Sequence, residues 1–125
     1  MHGAPAQLRV KTYSASTGVV YQYFYSGYRE TKPRSEDTGA DVEYVFQATT
    51  DRKHYHPVSV IVTGNALAEW SKLRGRRIVE SERYAIAKMS LFAAFDHEDT
   101  PLSAWRAICP DAKAIDLHLE TLGRV

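Results

Sequence analysis

The first half of the chain alternates apolar and polar residues with a period of two, and the second half shifts to a three- and four-residue spacing. From Gln7 to Ala15, Leu8, Val10 and Thr12 fall on one side, and Arg9, Lys11 and Tyr13 on the other. That is the pattern of a half-buried strand. Ser16-Thr17-Gly18 supplies turn chemistry, and Val19 to Tyr28 reads as a longer strand dense in aromatic and β-branched residues. Arg29 to Asp41 is polar, holds Pro33 and Gly39, and reads as a long hairpin loop. Val42 to Thr49 places Val42, Tyr44, Phe46 and Ala48 on one side. After a tight turn at Asp51-Arg52-Lys53, His54 to Val62 places Val58, Val60 and Val62 on one side. Pro57 cannot donate a ladder hydrogen bond, which predicts an outer position for this fourth strand.

Helical spacing begins after Val62. Thr63 or Asn65 is the expected cap of a helix carrying Leu67, Trp70 and Leu73, and Gly75 is its expected stop. Ser81 is the expected cap of a second helix from Glu82 to about Asp96, with Ala85, Ile86, Met89, Phe92 and Ala93 as its apolar set. Thr100-Pro101 predicts a short helix through Leu102, Trp105 and Ile108. Residues 112–122 fit both a strand, through the alternation Ile115 to Glu120, and a helix, through Ala112, Ile115, Leu119 and Leu122. Plausible caps at Asp111 and Gly123 tip the reading to helix. Strands followed by helices predict a single α+β domain spanning residues 1–125. A four-stranded antiparallel meander forms the N-terminal half, and two to three helices pack on one face from the C-terminal half. Phe46, Val58, Val60, Trp70, Met89 and Phe92 are expected to meet in its core.

Such a sheet can leave its other face to solvent. The second strand has aromatics on both sides: Val20, Phe24 and Tyr28 on one, Tyr21, Tyr23 and Tyr25 on the other. If Phe24 points inward, the tyrosines form a row on the open face, joined by Arg9, Lys11 and Tyr13 of the neighbouring strand. Tyr13, Tyr21, Tyr23, Tyr25, Arg9 and Lys11 are therefore the expected partner-binding residues. Tyrosine and arginine are enriched at protein interfaces, and rings beside cations also suit single-stranded nucleic acid. The reading is a non-enzymatic interaction domain whose partner is another protein or a second copy, with nucleic acid as the alternative.

Charge and composition narrow the other classes. A net charge of +1 argues against a general polyanion binder. It conceals a basic stretch from Lys72 to Lys88, with six basic against two acidic residues, and an acidic one from Asp96 to Glu120, with six acidic against two basic. Mutual neutralisation between neighbouring helices is the expected outcome. A helix-turn-helix reading of residues 67–91 fails because the second helix is too apolar to lie in a groove.

His54 and His56 sit on one side of a strand at a spacing that can chelate a metal, so a small metal-binding protein or enzyme is a further alternative. A structural site normally needs four ligands, and no metal or cofactor is expected. Cys109 is the single cysteine, expected as a small buried hydrophobe and compatible with a reducing compartment. With no apolar run of membrane-spanning length and no secretory pattern in residues 1–7, cytoplasmic is the expected location and no membrane partner is expected.

Overall fold

A computed structural model of the chain describes residues 9–32 and 39–125. Its strands are β1 (Lys11–Ser14), β2 (Val20–Glu30), β3 (Val42–Thr49) and β4 (His56–Val62). Its helices are α1 (Gly64–Arg74), α2 (Glu80–His97) and α3 (Ala112–Thr121). The strands form one antiparallel meander in the order β1-β2-β3-β4, and the helices follow, so the α+β class holds. Of the first predicted strand, residues 7 and 8 lie outside the described residues, as does the Pro33 portion of the predicted hairpin loop. What is described of that loop is closed by the Thr31 N–H donating to the Asp41 carbonyl at 2.9 Å.

Register decides which side is inside. Tyr23 lies opposite Ala48, Tyr25 opposite Phe46, and Tyr44 opposite Val60. Residues opposite one another in an antiparallel pair share a face. A bulge between Tyr25 and Gly27 inserts one residue, and it moves Tyr28 to lie opposite Tyr44. Tyr21, Tyr23, Tyr25 and Tyr28 thus all share the face of Phe46, Val58 and Val60. β4 is an outer strand, as Pro57 predicts, and its free edge is partly paired by Ile108, whose N–H donates to the Ser59 carbonyl at 2.8 Å.

α2 lies along this inner face. Near its start, Arg83 Nε donates to the Tyr44 hydroxyl at 2.8 Å; near its end, Asp96 Oδ1 accepts from the Ser16 N–H at 2.9 Å in the β1–β2 turn. Its buried positions include Ile86, Ala87, Leu91 and Phe95, while Met89 and Phe92 are half-buried. The helix is therefore rotated from the expected core set, whereas Phe46, Val58, Val60 and Trp70 are buried as expected. Four aromatic rings on the sheet explain the rotation: they pack against Phe95 and Tyr84, leaving Met89 to the flank.

One helix cap is as expected, and two of the helix predictions are corrected. Thr63, one of the two expected caps, does cap α1, its hydroxyl accepting from the Ala66 N–H. Ser81 does not cap α2; Val79 is the cap residue, and its N–H donates to Glu82 Oε1 at 3.1 Å. The helix predicted through Trp105 and Ile108 is only a 3-10 turn over Leu102–Ala104. Pairing of Ile108 with β4 draws the following residues out straight. The C-terminal segment is a helix, capped by Asp111, whose side chain accepts from the Ala114 N–H at 2.8 Å. Burial of Ile115 and Leu119 beneath it settles the ambiguity in favour of the helical stripe. No helix among the described residues is long and apolar enough to cross a membrane.

Candidate interaction surface

The expected open tyrosine face is the covered one. Tyr21 and Tyr23 are only 4% and 5% exposed. The Tyr21 ring stacks on Phe95 at 4.2 Å between centroids, and Tyr23 meets Phe92 edge-on at 5.7 Å. Tyr25 is half-buried against Tyr84 at 5.1 Å. Tyr13 stacks on Phe92 at 4.7 Å and donates its hydroxyl to Asp96 Oδ2 at 2.7 Å. Phe24 points the other way, toward Tyr55 at 5.4 Å. Aromatic side chains on both sides of β2 left the inside undetermined, and the rings that α2 presents decided it: offset stacks and edge contacts gain energy beyond area burial.

The truly open face is mixed rather than aromatic. It carries the exposed Val20, the half-buried Phe24, Val45 and Ile61, and the polar Gln22 and Gln47 between them. Arg29 crosses this face to Glu43, its Nε donating at 2.6 Å and helping hold the Glu43 carboxyl below its usual range after a hydrogen bond from Ser59.

Part of the expected site survives at the margin between β1 and α2. Arg9, Lys11, Tyr23, Tyr25, Tyr84 and Lys88, with Phe24, line a groove of about 330 Å³. The residues lining it comprise three cations and four aromatics, with no carboxylate among those described. Two of the cations face each other: the Lys11 ammonium, followed by partial burial, pulls the Lys88 amine below its usual pKa. Lys88 Nζ also lies 6.0 Å from the Phe92 ring centroid, within cation–π range. Burial raises the Tyr23 and Tyr25 phenols, so both remain protonated donors at neutral pH. Like charges beside rings, with no carboxylate among the described lining residues, leave the groove open to an anion. Arg9, Lys11, Tyr23 and Tyr25 thus come together here, the buried Tyr23 being part of the core as well, while Tyr21 belongs to the core and Tyr13 packs against it.

Lys88 and Tyr84 were missed in the sequence. Their signal was present: Tyr84, Lys88 and Phe92 recur every four residues along one side of α2, and Lys88 interrupts an otherwise apolar stretch.

The remaining candidates separate. His54 Nδ1 lies 2.7 Å from Asp51 Oδ2 in the β3–β4 turn, where Asp51 also accepts the Lys53 and His54 N–H groups. His56 instead lines a different cavity with Thr17, Tyr21 and Glu98. No group of three or more His, Cys, Asp or Glu among the described residues is placed to hold a metal ion. Cys109 is exposed rather than buried, because extended backbone alternates its side chains and Ile108 takes the inward position. The basic and acidic stretches do neutralise each other in part: Arg74 makes a bidentate pair with Asp116 of α3, both contacts at 2.7 Å.

No protein-family model, curated protein sequence or solved structure matches this chain.

Proposed function

We propose that this protein is a non-enzymatic interaction domain that seats an acidic segment of a protein partner in the groove between β1 and α2. The observation that carries this reading is the convergence of Arg9, Lys11 and Lys88 beside Tyr25 and Tyr84 with no carboxylate among the described lining residues. An acidic side chain entering the groove gains charge-assisted hydrogen bonds and relieves the repulsion between the two lysines. β1 is an outer strand, and Arg9 lies two residues before its first residue, Lys11, so an extended acidic segment alongside places every second side chain within reach.

A protein partner is favoured over single-stranded nucleic acid by the state of the rings. Base stacking needs free ring faces, and those of Tyr21 and Tyr23 are occupied by α2.

The test is a fluorescence-anisotropy titration with a peptide of alternating glutamate and tyrosine, run beside a short oligothymidylate. The peptide is expected to bind more tightly, with affinity falling as salt rises. A Lys11→Glu/Lys88→Glu variant is expected to lose at least about tenfold in affinity, or roughly 1.4 kcal/mol. Tighter binding of the oligonucleotide, lost in the same variant, transfers the groove to nucleic acid. A dimer in ultracentrifugation that the variant dissociates makes a second copy the partner. Peptide affinity unchanged by the double substitution refutes the groove as the contact.

A further inference from the structure

A second concavity lies against the C-terminal half of α2. The last turns of α2, the straight segment 105–110 and α3 line an open concavity of about 580 Å³. This is within the range of small-molecule sites, roughly 300–1,000 Å³. Its floor is built from small side chains, with Ala93 and Ala94 from α2 and Ala114 from α3, where bulkier residues would have closed the space. One wall is Trp105, held rigidly: its indole N–H donates to the Thr100 carbonyl at 3.0 Å, and its ring packs on Tyr21 and Phe95.

His118 of α3 also lines the cavity. Its ring is half-buried, and no described side chain or backbone group hydrogen-bonds to it. Burial holds the imidazole below its usual pKa, so it is neutral at pH 7 and offers one donor and one acceptor nitrogen.

We infer that this cavity is a binding site for a small uncharged aromatic molecule bearing one hydroxyl, with the ring on the alanine floor beside Trp105 and the hydroxyl on His118. The apolar floor selects an apolar ring, since water gains nothing by staying on it. An uncharged ligand follows from the lining. Arg106 and Glu98 line the same concavity, giving both signs, and an unpaired charge carried onto an alanine surface is penalised. A neutral imidazole accepts from a hydroxyl that would otherwise be desolvated without a partner, so a phenol is preferred over the hydrocarbon of the same shape. This inference is independent of the groove between β1 and α2.

The experiment is an NMR titration with 4-methylphenol and, in parallel, para-xylene, which keeps the shape and replaces the hydroxyl by a methyl group. Saturable shifts are expected at His118, Ala94 and Ala114, with 4-methylphenol binding at least about fivefold more tightly, the worth of roughly one hydrogen bond. Ala94→Leu fills the floor and is expected to abolish both titrations while the rest of the spectrum stays dispersed. His118→Phe keeps an aromatic ring without the nitrogens and is expected to equalise the two ligands; it carries the test if Ala94→Leu does not fold. No shift at these residues up to the solubility limit overturns the site. Equal affinity of the wild type for the two ligands overturns the ligand class.

Discussion

At the scale of single residues, Asp116 separates two effects that are easily conflated. It accepts from the buried Trp70 indole at 2.9 Å and pairs with Arg74, a residue more than a third exposed. A buried donor left without an acceptor costs about 1–3 kcal/mol, whereas a solvent-exposed ion pair is worth about 0–1 kcal/mol. Asp116→Ala is therefore expected to destabilise the protein by about 1–3 kcal/mol in urea unfolding. Asp116→Asn, which keeps an acceptor for Trp70, is expected to cost less than about 1 kcal/mol. A similar loss from both would mean that the charge pair, not the indole hydrogen bond, is what Asp116 contributes. The sequence showed an acidic residue on α3 and basic residues on α1; it had no means of showing that the indole of Trp70 competes for the same carboxylate.

At the scale of elements, the rotation of α2 and the bulge in β2 make separable predictions. Phe95 is fully buried and contacts Tyr13, Tyr21, Tyr23 and Trp105, while Phe92 is half-buried. Phe95→Ala is expected to cost about 3–5 kcal/mol, and Phe92→Ala distinctly less, in chemical denaturation. The reverse order would restore the helix orientation read from periodicity alone. Gly27 sits at the bulge with φ of 143°, a conformation that L side chains rarely adopt, although a Cβ there meets nothing within 4 Å. Gly27→Ala is thus expected to destabilise by about 1–3 kcal/mol through backbone strain rather than through a clash. Because the bulge carries Tyr28 to the inner face, hydrogen exchange of the β2–β3 ladder is expected to accelerate first around residues 27–30. The strand itself was legible from its aromatic and β-branched residues, but the bulge was not, since one inserted residue leaves composition unchanged.

Across the whole molecule, the buried and bonded titratable groups set the response to pH. Asp51 is held below the usual carboxylate range first by the His54 N–H, Asp96 first by the Ser16 N–H, Asp116 first by Arg74 and Glu82 first by Arg76. Unfolded carboxylates take up protons near pH 4, and these folded ones resist doing so. The unfolded chain therefore binds more protons there, and stability falls as pH drops below about 4. His118 acts in the same direction at higher pH. Its folded imidazole resists protonation, the unfolded one titrates near pH 6.5, and so its contribution, full above that value, declines below it. Thermal melts between pH 8 and pH 3 are expected to show a shallow loss below about pH 6.5 and a steeper one below about pH 4. His118→Phe is expected to remove the first step and leave the second. A melting temperature that is flat from pH 7 to pH 5 in the wild type would contradict the placement of His118.

The sequence by itself determined the class, the strand order and most element positions. Period-two alternation, turn residues and helix caps act over a few neighbouring positions, and local sterics and local hydrogen bonds suffice to express them. It also determined which residues on β3 and β4 face inward, because their apolar side is unambiguous. Tertiary structure alone decided the rest. β2 offers a buriable ring on either side, so its orientation waited on Phe95 and Tyr84 arriving from α2, more than fifty residues away in sequence. The same packing turned the expected open tyrosine row into core, left Arg9, Lys11, Tyr23 and Tyr25 at its margin, and brought Lys88 to meet them. A contact between distant segments is a property of how two faces fit, and neither face carries that information alone.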